Sequence, residues 1–229
     1  MKSASTIPIA IVLGGIIVAV AVYFSVARPQ SSTGSRPGNP ALVRPVNASD
    51  HILGNPTARV LIVEYADFDC DYCKGFEDIL HQVIANEGAQ GDVAWVYREF
   101  PLTELHPNAF THAEAAECVA QTAGNDAFWK FADLLFKNQP VDPSRYGELA
   151  QSVGAGGTAF TTCFTSALSS VDARIKADRE NALAAGAIGT PYSLILVKGQ
   201  PPIVIDAAYS YDAVKLLVDE ALQSISPSR

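Results

Sequence analysis

The stretch ARVLIVEYADFDCDYCKGFEDILHQVIAN, residues 58–86, decides the fold. Its opening, Ala58–Tyr65, is a short apolar run rich in β-branched residues, punctuated upstream by Asn55-Pro56. Such a run reads as a buried strand. A polar turn follows, and then the period changes. Across Asp71–Asn86 the apolar residues Phe76, Ile79, Leu80, Val83 and Ile84 fall at helical spacing, the pattern of an amphipathic helix with one buried face. Asp92–Phe100 (DVAWVYREF), closed by Pro101, restores the strand pattern. Strand, helix and strand in so short a span predict a βαβ unit with a parallel pair.

Working outward toward the C-terminus, residues 104–185 carry only helical patterns: Ala109–Gln121, Asp126–Lys137, two short segments within Pro143–Val153 and Thr158–Ala167, and a longer one over about Ser170–Ala185. Ser193–Val197 and Ile203–Ala207 then read as strands joined by Lys198-Gly-Gln-Pro-Pro202, a connector short enough to make them antiparallel. Tyr211–Leu222 is a terminal amphipathic helix. The expected class is α/β: a small mixed sheet with an all-helical insertion between a βαβ half and a ββα half. There are no internal repeats.

Toward the N-terminus, Ile7–Ala27 contains no charged residue. At about 1.5 Å per residue the run spans roughly 30 Å, the thickness of a bilayer core. Residues 1–27 are therefore expected to be a membrane anchor, with a cleaved signal peptide as the rival, since Ser25-Val26-Ala27 offers small residues where cleavage would fall. Residues 28–49, rich in Pro, Ser and Gly, read as a flexible linker, and 50–229 as the folded domain. Lys2 on one side and Arg28 and Arg36 on the other leave the orientation undecided by charge. A formal net charge of -8 excludes a basic nucleic-acid footprint.

The chemistry lies in the cysteines Cys70, Cys73, Cys118 and Cys163. Cys70-Asp71-Tyr72-Cys73 is a C-x-x-C where a strand gives way to a helix. A cysteine there faces unpaired backbone N–H groups and the positive end of the helix dipole. Both favour the thiolate, the reactive form. Positions i and i+3 of a first helical turn are also close enough to be bridged. Cys70 is the expected nucleophile and Cys73 the resolving thiol. A lone C-x-x-C could instead be half a zinc site or a structural disulfide. No second C-x-x-C or H-x3-5-H partner is present, and the four histidines are scattered, although two could meet in space. Glu64 is an acid inside an apolar run, where burial would raise its pKa.

These segments together resemble the DsbA-like thioredoxin-fold family. The likeness runs from GNPTARVLIVEYADFDCDYCKGFE through REFPLTELHP and AAECVAQ…AFWKFADLLFKNQ to GAIGTPYSLILVKGQPPIVIDAAYSYDAVKLLVDEAL, about residues 50–224. It implies a thioredoxin fold, protein thiol–disulfide exchange through Cys70 and Cys73, and a cis Thr190–Pro191 bond presenting the backbone of residue 190 to substrate. It further implies that Glu64 exchanges a proton with Cys73, and that Cys118 and Cys163 form a second, structural disulfide. The implied partners are exported cysteine-containing proteins and a membrane quinone-linked thiol oxidase for reoxidation. No cofactor and no metal are implied, and the protein is expected to be a monomer. Paired cysteines and an oxidising reaction place the domain outside the cytoplasm, which sets the anchor with its N-terminus inside the cell. One feature departs from the family: where many relatives have Pro after the first cysteine, this chain has Asp71. A negative charge beside Cys70 would disfavour its thiolate.

A dithiol oxidase acting on exported proteins is the expected function. A disulfide reductase or isomerase is the alternative; isomerases of this superfamily dimerise through a separate N-terminal domain, for which the linker is too short. A thioredoxin-fold metallochaperone is the reading from another class. It lacks flanking ligands, since the only methionine is Met1.

Overall fold

The computed structural model describes residues 38–166 and 169–225. The apolar run Ile7–Ala27 lies outside the described residues; among those described, no helix is long and apolar enough to cross a membrane.

Five strands, β1 (His51–Gly54), β2 (Val60–Ala66), β3 (Val93–Glu99), β4 (Tyr192–Val197) and β5 (Ile203–Ile205), form one mixed sheet in the order β1-β3-β2-β4-β5. β2 and β3 run parallel, with Ile62 opposite Trp95 and Glu64 opposite Tyr97. The other pairings are antiparallel. A parallel pair needs a crossover, and α1 (Asp71–Asn86) supplies it. Between β3 and β4 come α2 (Ala109–Ala123), α3 (Asn125–Lys137), α4 (Tyr146–Ser152), α5 (Thr158–Thr165) and α6 (Ser169–Ala185); α7 (Tyr211–Ser224) closes the chain.

The sheet is covered on both faces, so alternate residues of each strand enter different cores. Val60, Ile62, Ala66, Trp95 and Tyr97 join Phe76, Leu80 and Val83 of α1 and Val214 and Val218 of α7 on one side. Val63, Tyr65 and Val96 meet Ala182 and Ala185 of α6 on the other. Glu64 has the parity of Ile62 and Ala66, so it points toward α1, the helix that begins with the two cysteines.

In the helical insertion, α2 and α3 meet at Gly124, whose φ of 84° ends one helix and starts the next; a side chain there would be strained. Cys118 on α2 is bonded to Cys163 on α5, with Cα atoms 5.7 Å apart.

Two features differ from the sequence reading. β1 was not expected: four residues at the sheet edge carry too little pattern to register. Residues 38–49 also belong to the folded body. Asn39 N–H donates to the Ala184 carbonyl at 2.8 Å, and Pro40–Leu42 form a 3-10 turn. Arg44 bridges Asp50 at 2.7 Å and Asp178 at 2.6 Å. Arg98, fully buried, pairs with the same Asp50 at 2.9 Å. Prolines and polar residues suggest a linker, but buried charges on β3 and α6 make this stretch the cover that neutralises them.

Candidate active site

The turn between β2 and α1 is shaped by Asp67. Its carboxylate accepts from Asp69 N–H at 2.8 Å and Leu102 N–H at 2.7 Å, and it faces His106 Nδ1 at 2.9 Å. Asp69 in turn meets His112 Nε2 at 2.9 Å, and His112 Nδ1 is bonded to the Tyr146 hydroxyl. The residues just before Cys70 are therefore fixed to the helical insertion. Sequence reasoning did not anticipate this pair of Asp–His contacts, since partners some 40 positions apart leave no local signal.

Cys70 is the N-cap of α1, extended in backbone, and Cys73 lies in the first turn. Both are free thiols and both are buried, Cys70 at 6% exposure and Cys73 at 0%. Their environments nonetheless differ in sign. The Cys70 thiol is held down to about 6, first by the hydrogen bond from the Cys73 thiol; burial opposes this, and the Thr190 side chain and the backbone N–H groups of Cys73 and Tyr72 add to it. These N–H groups are the unpaired donors of a helix N-terminus, here facing sulfur instead of a capping oxygen. Cys73 is driven the other way, well above the usual thiol range, by burial first and then by its hydrogen bond to Cys70 and the charges of Cys70 and Glu64. Asp71, the departure from the family pattern, is exposed to solvent, where its charge is screened.

The Thr190–Pro191 bond is cis, and the Thr190 carbonyl accepts from Cys70 Sγ at 3.4 Å. A second cis bond, Gln139–Pro140, was not expected. Beside Thr190 and Pro191 lies a cleft of about 450 Å³ lined in part by Tyr72, Ile188 and Tyr192. Tyr72 and Ile188 are large hydrophobic residues left exposed, at 73% and 102%.

Glu64 is buried at 1% exposure and accepts a hydrogen bond from Trp95 Nε1 at 3.0 Å. It makes no ion pair with Arg98, whose partner is Asp50. Burial holds the Glu64 carboxyl well above the usual range, and the nearby charge of Glu77 pushes in the same direction. Glu77 is the residue that sequence reasoning missed. It occupies the buried stripe of α1 with Cys73, Phe76, Leu80 and Val83, and burial raises its carboxyl to about 7. The available signal was its helical phase: position 77 lies four residues after Cys73 and three before Leu80.

This arrangement can exchange disulfides. A bridged Cys70–Cys73 pair would offer an outer sulfur that is a good leaving group as thiolate and an inner sulfur that requires a proton. The fold is thioredoxin-like, and it brings two free thiols together at the start of α1. The thioredoxin family model Thioredoxin_4 matches residues 47–220, and the chain belongs to that family.

Similar solved structures share the fold at low identity. Wolbachia pipientis alpha-DsbA1 superposes with a TM-score of 0.68 at 18% identity, covering 82% of this chain and 100% of that one. Bacillus subtilis BdbD gives 0.64 at 23%, covering 76% and 93%. Among curated proteins, 126 residues are 38% identical to the Na(+)/H(+) antiporter NhaA 3 of Salinispora tropica, which is 53% of this chain but 18% of the antiporter. The chain thus spans about a fifth of the length of the curated relatives it matches.

Proposed function

We propose that this chain is a dithiol oxidase that introduces disulfides into exported, cysteine-containing proteins. The observation that carries the reading is the opposite treatment of two thiols one helical turn apart, Cys70 held low and Cys73 held high. A substrate thiolate attacks Cys70 Sγ of the oxidised pair and expels Cys73, which takes the proton that buried Glu64 holds. A second substrate thiolate then attacks the substrate sulfur of the mixed disulfide and expels the Cys70 thiolate. The substrate loses two electrons and gains a disulfide; the enzyme is left as a dithiol. A low Cys70 pKa favours this direction because it stabilises the reduced enzyme.

In this reading the Thr190 carbonyl and cis-Pro191 present backbone to the substrate, and the cleft with Tyr72 and Ile188 takes its apolar side chains. The Cys118–Cys163 bond supports an oxidising compartment. Residues 7–27 would then anchor the catalytic domain outside the cytoplasm, beside a quinone-linked thiol oxidase that reoxidises Cys70 and Cys73.

The test uses a reduced two-cysteine peptide and the oxidised full-length protein. The peptide should be converted stoichiometrically to its disulfide, and Cys73→Ser should accumulate a mixed disulfide through Cys70. A mixed disulfide through position 73 in Cys70→Ser, with none in Cys73→Ser, would reverse the roles.

A further inference from the structure

Glu77, whose charge reaches Glu64, also belongs to a second cluster with His81 and Asp133. Glu77 and His81 are one turn apart on α1, and Asp133 lies on α3 across from them. One nitrogen atom, His81 Nε2, faces both carboxylates, Asp133 Oδ1 at 2.9 Å and Glu77 Oε1 at 3.6 Å. A ring nitrogen carries at most one hydrogen, and the shorter contact takes it. Glu77 is left with 4% exposure and no hydrogen bond to either carboxylate oxygen. A buried carboxylate without a hydrogen bond is costly, and this one faces only the imidazole edge at 3.6 Å.

We propose that Glu77, His81 and Asp133 form a zinc-class divalent-cation site tying the active-site helix α1 to the helical insertion. One donor atom from each residue lies within 4.8 Å of the others. Zinc bonds of about 2.0–2.2 Å at a tetrahedral angle set donor atoms roughly 3.3 Å apart. The two measured separations, 2.9 and 3.6 Å, bracket that value. Two carboxylates and a neutral imidazole balance a divalent charge. A nitrogen donor among two oxygens suits zinc better than calcium or magnesium, which take oxygen sets. Asp133 is half exposed, and the cluster opens into a cleft of about 430 Å³. The cleft gives the ion an entry path and leaves its fourth position to water. Lys74 and Lys137 also line it, so an anion in place of that water would find cations nearby.

The full-length protein, freed of any affinity tag, should be tested in its oxidised form, so that Cys70 and Cys73 offer no thiolates. Calorimetric titration with ZnCl2 should show one ion per chain, and ZnCl2 should raise the melting temperature. His81→Ala and Asp133→Asn should each weaken binding at least tenfold and abolish the melting shift. Asp133 is exposed enough that its loss leaves the fold intact, which keeps the test decisive if the His81 variant folds poorly. Asp78→Asn, an exposed acid in the same cleft, should bind as the parent does. MgCl2 and CaCl2 should not substitute. Absence of zinc binding, or stoichiometric binding that survives both His81→Ala and Asp133→Asn, overturns the proposal.

Discussion

At the scale of residues, the proposed function rests on the Cys70 and Cys73 environments. In the reduced protein the Cys70 pKa falls from the ordinary 9.0 to about 6. A depressed folded-state pKa contributes stability that is present above the unfolded value and lost as pH falls through the folded one. Reduced protein should therefore gain stability over oxidised protein as pH rises from about 6 to about 9. A span of about 3 pH units corresponds to on the order of 4 kcal/mol. Urea unfolding of both forms across that range measures it, and a flat difference would contradict the Cys70 assignment. Iodoacetamide should label Cys70 with a midpoint near pH 6, well before Cys73. Glu64 behaves oppositely: its raised pKa costs stability as pH rises through the ordinary carboxyl range. Glu64→Gln should stabilise the protein at neutral pH, lose that advantage in acid, and slow the step in which Cys73 leaves or attacks. Stopped-flow thiol exchange against pH separates the two effects. Asp71→Asn should lower the Cys70 pKa by less than about one pH unit, because solvent screens the charge.

At the scale of elements, the parts legible in the sequence were those with a sustained period. The β2–α1–β3 unit, the β4–β5 hairpin and α7 were read nearly to their ends, because a strand buried on both faces and an amphipathic helix each leave a pattern of several residues. The N-terminal end of α1 was legible because Cys70 and Cys73 fall where the period changes. What stayed hidden depends on distant partners. β1 is an edge strand defined by pairing with β3. Residues 38–49 are ordered by Arg44, through acids at positions 50 and 178. Gly38 shows the same fit, since a Cβ there would stand 2.1 Å from Gly186 Cα. On α1 the apolar positions showed the helix, and Ile79 and Ile84 do pack against the core, but the buried stripe also includes Glu77. Apolar counting passes over a buried acid. Arg98 tests the buried network directly. Arg98→Ala leaves Asp50 buried without its fully buried partner, and should cost about 3–5 kcal/mol. Chemical denaturation checks it; a loss below 1 kcal/mol would mean that Arg44 alone satisfies Asp50.

At the scale of the molecule, a thioredoxin sheet carries the thiols and a helical insertion frames them. The Cys118–Cys163 bond closes a loop of 45 residues inside that insertion. In the chain-entropy model such a loop contributes roughly 4 kcal/mol. Replacing both cysteines with alanine should lower the melting temperature while leaving the Cys70–Cys73 couple unchanged; a shift in that couple would mean that the insertion tunes the active site. The potential of the couple is also where the functional reading is most exposed. DsbA lies near about −120 mV and thioredoxin near about −270 mV, and their reactive thiols have pKa values of about 3.5 and about 7. The Cys70 value of about 6 lies between those of the two reactive thiols. Equilibration of the full-length protein with a glutathione redox series, read by alkylation and mass spectrometry at Cys70 and Cys73, gives the potential. A dithiol oxidase should lie above about −200 mV; a value below about −230 mV would make the chain a reductase and contradict the account.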